Sequence, residues 1–218
     1  MQRDLLDALR CPGTHEESWL VAMVLEASGS TLRVAELACP VCGAEFWIDD
    51  GVAYFTSPTP LAPHTPAVPA EPYTSDMVLR LAALLGVAES QLPVALVGRY
   101  AAASGVLASF VSAPQLLINS APAIHTAGAS RIIVADRLPL GVESLAAIAV
   151  DAAHASPAFL DSASRALRVG GRLVAPADAP LPAGMRELAR DDSEWVAETT
   201  MRASGLIELR RRAPESVL

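Results

Sequence analysis
In the run Val94-Ala-Leu-Val-Gly98-Arg-Tyr-Ala-Ala-Ala-Ser-Gly105, four apolar residues enter a glycine, and alanine- and serine-rich sequence follows to residue 111. Four residues are too few for a helix. A wholly apolar run of that length fits a strand buried on both faces, turning tightly into a helix. The pattern repeats outward. Residues 77–85 have helical spacing, and 116–119, 132–135 and 146–150 are further apolar runs. Residues 159–167 read as helix, 172–175 as a strand after Gly170-Gly171, 185–190 as helix, and 195–199 with 206–210 as a closing antiparallel hairpin. Strands alternating with helices predict an α/β fold, with a mostly parallel sheet and helices on both faces. In such sheets ligands bind beyond the carboxyl ends of the strands, where the strand order reverses.

Composition narrows the chemistry. The chain has 218 residues and a net charge of −8, and every one of its 16 basic residues is arginine. Without lysine there is no Schiff-base catalysis and no Walker-type phosphate loop. Hydrophobic residues make up 52%, enough for a real core. The acidic balance disfavours broad binding to nucleic acid or anionic membrane. The longest apolar stretch, 78–88, is too short to span a bilayer and contains Arg80. Arg3, Asp4 and Asp7 interrupt the N-terminus, which does not read as a signal peptide. The expectation is a soluble, cytoplasmic protein whose three cysteines serve a metal or are inert thiols.

Composition also divides the chain. Pro58, Pro60, Pro63, Pro66, Pro69 and Pro72 recur mostly every third residue, the period of a polyproline II helix. The expected organisation is an N-terminal unit at 1–56, a proline-rich linker at 57–75 and an α/β domain at 76–213. At about 3.1 Å per residue, the linker could separate two bodies by up to roughly 50 Å. His64 within it reads as a solvated side chain. The first 56 residues carry three arginines against nine acids, so the small unit holds most of the negative charge.

A unit that small needs a staple. Leu5, Leu6 and Leu9 suggest a short amphipathic helix, and 19–26, 32–37 and 45–48 suggest three strands. Cys39-Pro-Val-Cys42-Gly43 is a knuckle whose thiolates, three positions apart, can grip one tetrahedral ion. Upstream, Cys11 is followed four residues later by His15. Cys11, His15, Cys39 and Cys42 together make a closed structural zinc set with no position left for substrate, and Glu16 is the fallback ligand.

The sequences Leu5-Leu-Asp-Ala-Leu-Arg-Cys-Pro, Leu37-Ala-Cys-Pro-Val-Cys-Gly and Phe46-Trp-Ile-Asp-Asp-Gly-Val resemble the small zinc-ribbon family that activates methyltransferases. Thr14, followed by His15, stands where that family has its second cysteine. Ala166-Leu-Arg-Val-Gly-Gly-Arg-Leu-Val, Asp136-Arg-Leu-Pro-Leu and Ala146-Ala-Ile-Ala-Val-Asp resemble the class I methyltransferase family. The resemblance implies a Rossmann-like sheet with a C-terminal hairpin and S-adenosylmethionine as cofactor. It also implies Gly98 in the cofactor loop, Asn119 or Ser120 at the ribose-binding position and Asp136 near the adenine amine.

The cofactor loop departs from that family. Tyr100 and Ala102 stand where it has its second and third glycines, Leu96 replaces its acid, and Asn119 or Ser120 replaces the ribose-binding carboxylate. These four departures point to a non-catalytic scaffolding or regulatory subunit that holds a protein partner, its oligomeric state open. The alternative is an active methyltransferase with a divergent loop. Asp151 and His154, three apart beyond the fourth strand, could form a general base pair but read more simply as a strand-end acid and a loop histidine. Ser104 lacks a nucleophile elbow. His125 carries no further signal, and Arg210, Arg211 and Arg212 read as a solvated end able to salt-bridge the acidic unit.

Overall fold
A computed structural model describes residues 1–56, 73–124 and 126–201. Eleven strands form one sheet: β1 (Val21–Ser28), β2 (Thr31–Ala38), β3 (Glu45–Asp49), β4 (Val52–Phe55), β5 (Val94–Val97), β6 (Gln115–Ile118), β7 (Ser130–Val134), β8 (Leu145–Ala149), β9 (Leu167–Pro176), β10 (Met185–Arg190) and β11 (Glu194–Thr199). Their spatial order is β1-β2-β3-β4-β7-β6-β5-β8-β9-β11-β10. From β7 to β9 the strands are parallel. Counting from β5, their order is the doubly wound 3-2-1-4-5, and the antiparallel β10–β11 hairpin extends it beyond β9. This is a class I methyltransferase-like α/β fold.

The four-stranded N-terminal unit continues this sheet, because β4 runs parallel to β7 with Val52 opposite Arg131 and Phe55 opposite Val134. The spacer reading expected two separated bodies; its residues 57–72 lie outside the described residues, while the units on either side share a sheet and a core. The short 3-10 helix Arg3–Ala8 brings Met1, Leu5 and Leu9 against Ile132, Leu138 and Leu140. Backbone bonds stitch the joint: Arg10 N–H donates to Pro139 O at 2.9 Å, and Gly141 N–H to Ala8 O at 2.8 Å.

Three α-helices flank the parallel strands. α1 (Ser75–Leu85) starts at Thr74, whose Oγ1 accepts the Met77 N–H at 3.3 Å, and buries Val78, Leu81 and Leu85 on one face of the sheet. The four-residue α2 (Ser104–Leu107) lies on that face too. α3 (Pro157–Ala166) is capped by Ser156 and packs Phe159, Leu160 and Ala163 on the other face. Strands β5, β6 and β8 are buried on both faces, as covered parallel strands must be. The Gly170-Gly171 pair makes the irregularity that lets β9 leave α3 directly: a side chain at Gly171 would meet Ala146 O at 2.9 Å.

Several expectations are corrected. Residues 185–190 form β10, not a helix, although Met, Arg, Glu, Leu and Ala all favour helix. Six residues are too few to hold a helix alone, and pairing with β11 across a turn capped by Asp191 Oδ1 captures them. Strand β11 therefore pairs with β10 and β9; residues 206–210, its expected partner, lie outside the described residues, as do His64, His125 and 210–212. Strand β4 is additional to the three strands expected of the N-terminal unit. Among the described residues no helix connects β6 to β7 or β7 to β8, so the α1 face is open from β7 to β1. Ile133, Tyr54, Trp47, Glu36 and Met23 stand in register across it, with Trp47, Tyr54 and Met23 exposed. No helix among the described residues is long and apolar enough to cross a membrane.

Candidate functional site
The knuckle forms where β2 ends. Cys39 N–H donates to Ala44 O at 2.8 Å, Gly43 N–H donates to Cys39 O at 2.9 Å, and Gly43 sits at φ +69°. Only glycine adopts that conformation freely, and the turn aims Cys39 and Cys42 at the chain leaving the first 3-10 helix. Cys11 and His15 meet them there. The four ligand atoms lie within 4.8 Å of one another, Cys11 Sγ is 3.7 Å from Cys42 Sγ, and His15 Nε2 is 3.4 Å from Cys39 Sγ. Metal–sulfur bonds of about 2.3 Å in a tetrahedron place two sulfurs about 3.8 Å apart. The donor set therefore fits a tetrahedral metal ion. His15 Nδ1 lies 2.6 Å from Glu16 O, which orients the ring with Nε2 toward the sulfurs. Glu16 is exposed and not in the group.

Burial works to raise the Cys39 thiol, but the backbone N–H groups of Cys42 and Val41 hold it down at about 6. Burial pushes Cys11 up to about 12, against the Gly13 N–H. A divalent cation would supply the charge that lets both be thiolates side by side.

The second site lies at the carboxyl ends of β5 and β8, where the strand order reverses. Gly98 has φ +59°, and a Cβ there would sit 2.1 Å from Asp151 Oδ2. The first amide of the loop, Arg99 N–H, donates to that oxygen at 2.8 Å, and His154 Nδ1 lies 2.6 Å from Asp151 Oδ1. Burial pulls the Asp151 carboxyl upward, yet the His154 hydrogen bond and the Arg99 N–H outweigh it and hold the group below its ordinary value. The Asp151–His154 pair exists, and its carboxylate is spent on the chain's own loop.

Tyr100 is buried on the α1 face, and its hydroxyl donates to Glu194 Oε2 at 2.9 Å. Burial, reinforced by Glu194, raises its ionisation well above that of a free tyrosine. Arg80 on α1 pairs with the same Glu194 at 2.8 Å and with Asp191 at 2.6 Å. The loop after β5 is thus tied to the hairpin at the far side of the sheet. Reading the sequence missed Glu194 and Arg80, because nothing local marks a carboxylate 94 positions from its tyrosine.

The other expected residues are spread along the same edge. Asn119, buried at φ +51°, donates from Nδ2 to Val134 O at 3.1 Å and accepts Val134 N–H at 2.8 Å, so its amide locks β6 to β7. Asp136 is exposed beyond β7. Ser104 is buried against the Thr126 hydroxyl, with no histidine among its described partners.

Strand order and metal-ligand cluster together describe a methyltransferase-like α/β protein with a Cys/His group at its N-terminus. No family model matches the chain, and no curated protein does. Among solved structures it is similar to a complex between the Haloferax volcanii Trm112 methyltransferase activator and a methyltransferase: 18% identity over 45% of this chain and 50% of that one, with a TM-score of 0.38. TrmN from Thermus thermophilus is 17% identical over 60% and 50%, with a TM-score of 0.42. Geranyl diphosphate C-methyltransferase from Streptomyces coelicolor A3(2) is 19% identical over 46% and 42%, with a TM-score of 0.38. The chain spans about half the length of these structures, and likenesses this distant carry no argument about activity.

Proposed function
We propose that this chain is a non-catalytic, methyltransferase-like binding or scaffolding subunit whose N-terminal unit, 1–56, is a ribbon stapled by structural zinc on Cys11, His15, Cys39 and Cys42. The linker is 57–75 and the methyltransferase-like domain 76–213. The observation that carries the reading is the Asp151 carboxylate seated on Gly98 and bonded to Arg99 N–H. A cofactor loop works by offering its backbone amides and the space above its glycines. Here the chain's own aspartate takes the first amide and that space, while a tyrosine fills the next glycine position. Gly98, Asn119 and Asp136 would serve S-adenosylmethionine only if Asp151 were displaced.

The edge strand β1 supports a protein partner. Val21, Met23 and Leu25 are exposed, and the outer row of β1 backbone groups has no strand beside it among the described residues, the setting in which an extended segment of another protein adds as a strand. The alternative, a working methyltransferase, is favoured by the Asp151–His154 pair beyond the fourth parallel strand. Calorimetric titration of the metal-loaded chain with S-adenosylmethionine separates the two. The proposal expects no saturable binding up to about 1 mM; a micromolar Kd overturns it. Co-purification from the native cell with mass spectrometry then identifies the partner.

A further inference from the structure
We infer that the crevice between the metal knuckle and α3, lined by Arg10, Arg137 and Arg165, binds a phosphate-type oxyanion. The inference is independent of whether the methyltransferase-like domain is catalytic. Three chain segments deliver the guanidinium groups. Arg10 precedes the first metal ligand, Arg137 follows β7, and Arg165 lies in the last turn of α3. Leu138 N–H donates to Ser162 Oγ at 3.0 Å, fastening the Arg137 segment to α3. Ser162 and Arg165 are three positions apart and share a helix face. All these residues line one cavity.

Arg10 is built in rather than draped over the surface. Its Nη1 donates to Asp7 O at 2.7 Å and Leu9 O at 2.8 Å, its Nε donates to Glu17 Oε1 at 3.2 Å, and its guanidinium lies 4.3 Å from the centre of the Trp19 ring. That leaves Nη2 without an acceptor among the described residues. Arg137 and Arg165 have no ion pair and no hydrogen-bonded side-chain partner among the described residues. Three guanidiniums gathered in one crevice repel one another unless an anion joins them, and planar N–H forks match the oxygens of a phosphate.

Charge and size set the ligand class. Glu17 also lines the crevice, but Arg10 holds its carboxylate. Three thiolates around a divalent ion contribute one further negative charge. Three arginines still leave the lining net positive. Both nitrogens of His15 are engaged, one with the Glu16 carbonyl and one with the sulfur cluster, so the arginines are the donors for the anion. The cavity measures about 80 Å³, far below the roughly 300–1,000 Å³ of pockets that enclose a drug-sized molecule. It admits a tetrahedral oxyanion, either free phosphate or the phosphate of a small ester whose remainder stays outside.

The test is calorimetric titration of the full, metal-loaded chain with sodium phosphate and, separately, with glycerol phosphate, against sodium chloride at matched ionic strength. Saturable one-to-one binding of either is the expected result, and the tighter of the two identifies the source. Arg137→Gln and Arg165→Gln should each weaken it about tenfold, the loss of one charge-assisted donor. Both side chains are exposed, so the variants should melt as the parent does. Absence of saturable heat for both ligands up to about 10 mM overturns the inference, as does undiminished binding by the doubly substituted, folded chain.

Discussion

The contact between Gly98 and Asp151 makes a quantitative prediction about how two substitutions combine. Asp151→Ala removes a buried charged acceptor from Arg99 N–H and from His154, at 2.8 and 2.6 Å. Bonds to charged groups contribute about 1.5–3 kcal/mol each, and orphaning one buried donor costs part of that, so the loss is about 3 kcal/mol. Gly98→Ala costs about 1 kcal/mol for a side chain at φ +59°. It also plants a methyl 2.1 Å from Oδ2, which forces the carboxylate off Arg99 and forfeits the same ~3 kcal/mol. Each clash is the other's partner. Once Asp151 is alanine, the methyl at 98 has nothing to strike, and the double variant should lose about 4 kcal/mol where independent effects would sum to about 7. Urea denaturation of the four proteins at neutral pH, followed by tryptophan fluorescence, measures the coupling of about 3 kcal/mol. Losses that add within about 0.5 kcal/mol would show that Asp151 does not sit on Gly98, and the case for a self-occupied cofactor loop would go with it.

Two further predictions follow from the same sites. Elemental analysis should find about one zinc per chain, and a chelator should lower the melting temperature. In competition with that chelator His15→Ala should lose its metal sooner than the parent, while Glu16→Ala should not; the reverse pattern would transfer the fourth ligand to Glu16. The Asp151 carboxyl is held below its unfolded value of about 3.9, so its contribution is complete above about pH 4 and declines as pH falls through the lower folded value. The stability gap between the parent and Asp151→Asn, read from urea midpoints, should therefore begin to narrow below about pH 4. A gap that widens on acidification would refute this assignment.

The parallel strands were legible because burial on both faces forces an unbroken apolar run, as in Val94-Ala-Leu-Val and Leu145-Ala-Ala-Ile-Ala. The Cys/His cluster was legible because Cys-x2-Cys and Cys-x3-His spacings are local. What escaped was non-local. Residues 185–190 carry helix-forming side chains and become a strand because β11 offers a ladder that six residues cannot replace with a helix. Val52–Phe55 is a strand the sequence did not mark, because its partner, β7, lies more than seventy residues away. Asp151 was flagged for its spacing to His154, but its bond to Arg99 depends on β5 and β8 being neighbours, which only the folded order supplies.

That strand order also changes what the acidic N-terminal unit is for. Its nine acids against three arginines do not favour holding it to a domain that is itself slightly acidic, and among the described residues no ion pair crosses the joint. The contacts there are a parallel ladder from Val52 to Phe55, backbone bonds from Arg10 and Gly141, and the insertion of Leu5 and Leu9 among Leu138 and Leu140. Contacts of that kind are insensitive to salt but depend on the path of residues 1–15, along which Cys11 and His15 meet Cys39 and Cys42. That path lays Leu5 and Leu9 over one face of β7, while β4 closes its sheet edge. Without that cover, β7 would present an apolar face and an unpaired edge together, the condition under which sheets aggregate. The N-terminal strands continue the sheet beyond β7, and among the described residues its open edge on that side lies at β1.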